Sequence, residues 1–145
     1  MIDISHKAVT KRTAVARGKV VMSASAFKSF LKEESPKGNV LEAAKIAGIL
    51  AAKQTPQLIP HCHPLLLNKV NLSFDVDHHK FTVVVQSEVI CAGQTGVEME
   101  ALCAVTVACL TIYDMMKWSD KTIAITDIRL LKKTGGKSGD FERKE

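Results

Sequence analysis

Asp114 and Lys117 stand three positions apart at the end of a long apolar run, and they are the first candidates for chemistry in this sequence. Residues at that spacing are neighbours on one face of a helix, so a carboxylate and an ammonium meet there. Such a pair is either a surface ion pair, worth a few tenths of a kcal/mol, or an acid/base pair tuned by partial burial. The apolar surroundings favour the second reading. Two more carboxylates, Glu98 and Glu100, open the same run, where the positive end of a helix dipole favours them. Glu100 and Asp114 point in similar directions, about 40° apart, yet lie about 21 Å apart along the axis. No small molecule touches both from one helix. Either the two carboxylates do unrelated jobs, or a second copy of the chain brings one end to the other.

A second cluster is His61-Cys62-His63, in a stretch from Gln54 to Pro64 that holds three of the four prolines. A loop that stiff usually positions something. Zinc is the first thought, but it needs ligands converging tetrahedrally, with a further pair supplied elsewhere. The other histidines are His6 near the start and His78 and His79 in a hairpin tip, and Cys91 stands alone, so no metal centre is expected. His63, wedged between Cys62 and Pro64, reads as a fixed acid/base or hydrogen-bond donor. His61 reads as an exposed loop residue.

Lys37, Lys117, Lys133 and Lys137 all lie at element ends or in loops. Singly each is a solvated lysine; together they can neutralise a triphosphate. Gly135-Gly136-Lys137-Ser138 has the ending of a phosphate-binding loop, but the glycine required five residues before Gly136 is Leu131, and no helix follows. That reading fails, though a glycine- and lysine-rich tail can still close over an anion.

The elements that must hold these groups follow from the pattern. A chain of 145 residues makes one domain with a real core. A net charge of +5 fits an anionic partner, while aromatics at 5% leave little for stacking single-stranded nucleic acid. Four cysteines without a C-x-x-C pair fit a reduced, cytoplasmic protein. There is no signal pattern, and the longest apolar run is too short for a membrane span.

Residues 1–12 lack a period and are expected to form a mobile arm. Thr13 to Met22 reads as a strand. Ser23 caps a short helix through Glu33, with Phe27, Phe30 and Leu31 inward. A turn at Ser35–Gly38 follows, and Asn39 caps a helix over Val40–Lys53. Two alternating strands flank a tight hairpin at Asp77–Lys80. Gly93 to Trp118 is one long core helix, with Thr95 as its cap. Thr122 to Leu131 is a last strand whose apolar phase slips, marking a bulge near Thr126-Asp127. Residues 133–145 read as a flexible tail.

The order of strand, two helices, hairpin, long helix and strand makes an α+β sandwich of ferredoxin-like type: a four-stranded antiparallel sheet with helices on one face. The small residues Ala43, Ala44, Ala47, Gly48 and Ala51 offer a helix face on which a second copy can approach closely, so that shared sites would combine Asp114 and Lys117 of one chain with residues such as Lys37 or Glu100 of another.

Longer matches carry a resemblance. Asp3-Ile4-Ser5 with Lys7, Thr10 and Arg12, KGNVLEAAKIAGILAAKQT from Lys37, LIPHCHPL from Leu58, TGVEMEAL from Thr95, LTIYDMMK from Leu110 and LLKKTGGKSGDF from Leu130 run in order along the chain. In these segments the sequence resembles the molybdenum cofactor biosynthesis protein C family, the cyclic pyranopterin monophosphate synthases. It departs from the family habit at His61 for Leu, Asn39 for Asp and Met116 for Cys, and none of these removes a presumed catalytic group.

The resemblance implies a pyrophosphate-releasing lyase acting on the cyclised GTP (8S)-3′,8-cyclo-7,8-dihydroguanosine 5′-triphosphate. It implies a homohexamer, a trimer of dimers with active sites at the dimer interface, and no nucleic acid or membrane partner. Carried over by motif, Asp114, Lys117, Lys37 and His63 are catalytic, and His61, Cys62, His63, Glu98, Met99, Glu100 and Lys133 bind substrate. No metal is held by the protein and no cofactor is required, leaving room for Mg²⁺ to accompany the substrate phosphates without a dedicated cage. Two rivals remain to be weighed against this: a module that only binds a nucleotide or RNA, and a zinc-binding structural protein.

Overall fold

A computed structural model of the chain describes residues 1–144. Its elements are β1 (Thr10–Val21), α1 (Ala24–Leu31), α2 (Val40–Lys53), α3 (Thr55–Leu58), β2 (Leu67–Asp77), β3 (Thr82–Gly93), α4 (Glu98–Met116), β4 (Ala124–Thr134) and β5 (Phe141–Glu142). The sheet order is β2-β3-β1-β4-β5, and every pairing is antiparallel. The expected ferredoxin-like arrangement is present, with one strand more than expected. The addition is a two-residue strip that pairs Glu142 with Lys132 and Phe141 with Lys133.

Alternation builds the sheet. In β1 the inward residues Ala14, Ala16 and Val20 are fully buried, and in β3 so are Val83, Val85 and Val89. The inward side of β1 is small because α4 lies directly on it: a Cβ on Gly18 would stand 2.7 Å from Val105 Cγ1. Along α4, Ala101, Ala104, Val105, Ala108, Cys109, Ile112 and Met116 are buried, so the helix forms the spine of the core. With 19 residues and a mean hydropathy of 1.5 it is long and apolar enough to cross a membrane, so length does not exclude a span. Its packing shows a different use, since 56% of the apolar stretch is buried inside the fold.

The other helix of the pair, α2, packs on α4 and β2. The expected small-residue face is used within the chain rather than left for a second copy. Ala44, Gly48 and Ala51 are buried, and a Cβ on Gly48 would stand 2.6 Å from Leu72 Cδ2 and 2.9 Å from the Ala104 carbonyl. Only Ala43 and Ala47 stay partly open.

Local expectations divide. Ser23 Oγ accepts from Ala26 N and Asn39 Oδ1 from Glu42 N, so both caps are in place. In α1, Phe27 and Phe30 are buried, but Leu31 is exposed. Thr95 does not cap α4: the helix begins later, Val97 is its N-cap residue, and no side chain makes the capping bond. The slip in β4 is real. Its register against β1 shifts between Arg17 and Lys19, and Asp127 takes a φ of 55°.

The segments expected to be an arm and a tail are more structured than their composition implies. Residues 10–12 belong to β1, where Thr10 pairs with Gly93, and Gln94 Nε2 holds the carbonyls of Ser5 and Lys7. At the other end β4 runs through Thr134, and Phe141–Glu142 pair back onto it. The last residue of the expected tail, Glu145, lies outside the described residues.

Candidate active site

The chemistry-bearing residues collect at the two ends of α4. At its C-terminal end, Asp114 and Lys117 pair as their spacing requires, Lys117 Nζ to Asp114 Oδ1 at 2.7 Å. The fold adds a third member that spacing could not supply, and from the same chain, whereas Lys37 was expected to reach this site from a second copy. Lys37, on the turn before α2, donates to the other carboxylate oxygen, Oδ2, at 2.6 Å. Both oxygens of one carboxylate therefore carry an ammonium. Bonding to Lys117, then to Lys37, pulls Asp114 down to about 2, and the same bond raises Lys117. All three side chains remain about half open to solvent. Asp114 is thus a fixed anion that orients two cations rather than a proton carrier near neutrality.

At the N-terminal end the environment is reversed. Glu100 is only 3% exposed. Burial raises its pKa, and the nearby charge of Glu98 adds to the rise. His61, Cys62, His63, Glu98, Met99 and Glu100 line one cavity of about 330 Å³, so six of the expected substrate residues converge. Cys62 is pushed up by burial and then by Glu100, so its thiol is held protonated. His63 Nε2 lies 2.8 Å from the Ile2 carbonyl oxygen, which can only accept, and this fixes the proton on Nε2. Among the described residues no three His, Cys, Asp or Glu are grouped to hold a metal ion.

The last of the expected residues, Lys133, stands one step further along the same end. It faces Glu98 at 3.6 Å and donates to Ser138 Oγ at 2.6 Å. It borders a larger cavity of about 820 Å³, which shares Thr95, Gly96 and Glu98 with the smaller one. This cavity is basic: Lys7, Arg12, Lys133 and Lys137 line it. Two glycines let backbone close around it. A Cβ on Gly96 would meet Glu98 Oε2 at 1.9 Å, and one on Gly136, at a φ of 87°, would meet Arg12 Nη1 at 1.9 Å.

Arg12, like Lys7, is a cavity-lining group that residue-by-residue reading missed. It is 8% exposed, and its Nε donates to the Gly93 carbonyl at 3.2 Å, leaving the rest of the guanidinium toward the cavity it lines. The signal was present: Arg12 shares the inward phase of Ala14 and Ala16, and a cation on the buried side of a strand has a purpose. It was hidden by treating residues 1–12 as an arm.

One joining the sequence left open is not made within the chain. The cluster of Lys37, Asp114 and Lys117 and the cavities around Glu100 stay at opposite ends of a helix about 21 Å apart.

Fold and site together define a ferredoxin-like α+β enzyme domain, with acid–base groups beside a basic cavity suited to a polyanionic small molecule. The chain belongs to the MoaC family, whose model matches residues 1–136. It is 53% identical over 144 residues to the cyclic pyranopterin monophosphate synthase of Parvibaculum lavamentivorans, covering 99% of this chain and 90% of that one. The protein of the same name from Heliobacterium modesticaldum is 53% identical over 145 residues, covering 100% and 91%. The one from Cereibacter sphaeroides (strain ATCC 17029 / ATH 2.4.9) is 56% identical over 142 residues, covering 98% and 89%.

Proposed function

We propose that this chain is a cyclic pyranopterin monophosphate synthase of molybdenum cofactor biosynthesis. It converts (8S)-3′,8-cyclo-7,8-dihydroguanosine 5′-triphosphate to cyclic pyranopterin monophosphate and releases pyrophosphate. Relatives of that name match nearly the whole chain. The observation that carries the reading is the double lysine clamp on Asp114. An exposed surface gains little stability from such a cluster, whereas a reaction that expels pyrophosphate needs oriented cations.

The roles follow from the environments. Lys7, Arg12, Lys133 and Lys137 receive the triphosphate. Cyclic phosphate closure sets a ribose hydroxyl on the α-phosphorus while the bond to pyrophosphate breaks, and positioned lysines stabilise the charge that develops. Rearrangement of the purine-derived rings needs proton transfers. Glu100, raised toward neutrality, and His63 are the groups suited to them, with Lys37 and Lys117 held in place by Asp114. Mg²⁺ would arrive with the phosphates, and no redox cofactor is called for. The first segment, residues 1–9, and the glycine-rich tail close over the bound substrate. A nucleotide-derived substrate and four free cysteines fit the cytoplasm.

The two ends of α4 meet between two copies. On its open side, Met99, Cys103, Thr106, Leu110, Asp114 and Lys117 follow one another at spacings of three and four, a single stripe running from one end to the other. Leu110 is 54% exposed and Met99 37%, with Ile46 and Leu50 of α2 also open. Antiparallel packing of two such stripes about a two-fold axis at Thr106–Val107 sets Asp114 opposite Met99 and Lys117 opposite Gly96 of the second copy. The lysines of one chain then face Glu98, at the mouth of the other's cavity, so charge favours this register. Three such dimers make the hexamer.

The test of the activity is direct. Purified protein is incubated with the cyclised GTP, and the product is oxidised and detected as a fluorescent pterin, with pyrophosphate assayed in parallel. Pterin and pyrophosphate in equal amounts are expected. Substrate binding without either product would leave the nucleotide-binding module as the better account.

A further inference from the structure

The turn that carries Lys37 is tied to α4 by a residue outside the catalytic set. Ser35 is 8% exposed. Its Oγ donates to the Met115 carbonyl at 2.9 Å and accepts from Lys37 N at 3.3 Å. Met115 directly follows Asp114 in the chain, and its carbonyl is one of those that the end of an α-helix leaves without an intrahelical partner. One hydroxyl therefore joins the backbone of the lysine's turn to the backbone beside the carboxylate that the lysine contacts.

The rest of the turn is rigid on its own account. Pro36 fixes the backbone before Lys37. Gly38 takes a φ of 96° and its N–H donates to the Ser35 carbonyl at 3.1 Å, while Asn39 caps α2 on the far side. A rigid turn still needs a tether to lie at a set distance from another element. Apart from the Lys37–Asp114 contact, which is half open to water, the Ser35 hydroxyl is the described polar link between this turn and α4.

We infer that Ser35 is a positioning residue: its hydroxyl sets the Lys37 ammonium on Asp114 by docking the 35–38 turn onto the last turn of α4. Ser35 does not touch substrate in this account. It acts by fixing where Lys37 stands, and a displacement of about 1 Å at a positioned charge is costly to a reaction of this kind. The inference rests on the assignment of Lys37 and Asp114 to the chemistry only where it concerns turnover. The placement itself stands or falls separately.

The test uses Ser35→Ala and Ser35→Thr in the full-length protein, with two readouts. The first is titration of the Asp114 carboxyl carbon by NMR. In Ser35→Ala, with the tether gone and the Gly38–Ser35 backbone bond retained, Asp114 should titrate at a higher pH than in the parent, because Lys37 no longer holds it. In Ser35→Thr, which keeps the hydroxyl, it should return. The second readout is turnover: Ser35→Ala is expected to lower kcat about tenfold with little change in KM, and Ser35→Thr to restore most of it.

A residue that merely filled space would lower the melting temperature without moving the titration of Asp114 in the folded protein, and that result would overturn the inference. So would an unchanged titration in Ser35→Thr and Ser35→Ala alike. If the titration moves and turnover does not, Ser35 positions Lys37 as inferred and the catalytic assignment of Lys37 and Asp114 is what fails. If Ser35→Ala does not fold, Ser35→Cys keeps the side chain's size with far weaker hydrogen bonding and gives the same two readings.

Discussion

The two ends of α4 carry the same residue types in opposite surroundings. At the C-terminal end a half-exposed carboxylate holds two lysines and sits well below its ordinary range, at about 2. At the N-terminal end Glu100 is almost wholly enclosed and rises above its ordinary value. One carboxylate is held in its charged form and the other is pushed toward its protonated form. The proposed reaction both moves protons and stabilises a leaving phosphate, and a single long helix offers both kinds of carboxylate by ending once in a cavity and once at the surface.

The largest expected effect comes from the charged end. Asp114→Asn, Lys37→Ala and Lys117→Ala should each reduce turnover by about a thousandfold or more with circular dichroism unchanged, since none of the three is part of the core. Near-parental product formation by all three would remove this end from the chemistry.

Glu100→Gln sharpens the contrast, with turnover down about a hundredfold and an opposite signature in stability against pH. The folded pKa of Glu100 is raised, so its contribution is fully present below the unfolded value of 4.5 and is lost as pH rises through the folded value. Asp114 is depressed, so its contribution is present above 3.8 and lost as pH falls through about 2. Urea midpoints followed from acid to neutral pH should show Glu100→Gln removing a loss on the neutral side and Asp114→Asn removing one on the acid side. The same limb altered by both variants would contradict the assignment.

Gly48→Ala acts midway between the ends. The added methyl meets Leu72 and the Ala104 carbonyl, so about 1–3 kcal/mol of stability should be lost in chemical denaturation. Smallest is Asn39→Ala, which removes the bond to Glu42 N and should cost about 1 kcal/mol while leaving the N-terminal end of α4 untouched.

Much of this was legible in the sequence because it depends on local rules. Alternation gave the strands, the caps at Ser23 and Asn39 gave two helix starts, and the broken phase in β4 gave the bulge at Asp127. The Asp114–Lys117 pair followed from helical spacing alone. What escaped depends on distant parts of the chain. Lys37 reaches Asp114 across 77 positions, and nothing in the turn's composition indicates where it docks. Arg12 lines the basic cavity through the pairing of β1 with β3. The Ala/Gly face of α2 was read correctly as a close-packing surface but for the wrong partner, because periodicity says that a face is buried without saying against what. Thr95 was a sound cap by type, yet the chain keeps Gln94 to Gly96 as cavity wall and starts the helix later.

Mixing inactive variants shows whether active sites combine opposite ends of α4 from two copies of the chain, as proposed. Asp114→Asn and Glu100→Gln proteins are dissociated, mixed and reassociated, with subunit exchange verified by differently tagged chains. If sites are shared, each mixed dimer places both lesions in one site and none in the other, and random mixing restores about a quarter of parental turnover. A mixture that has exchanged subunits and stays inactive, or a parent protein active as a monomer, would contradict the account.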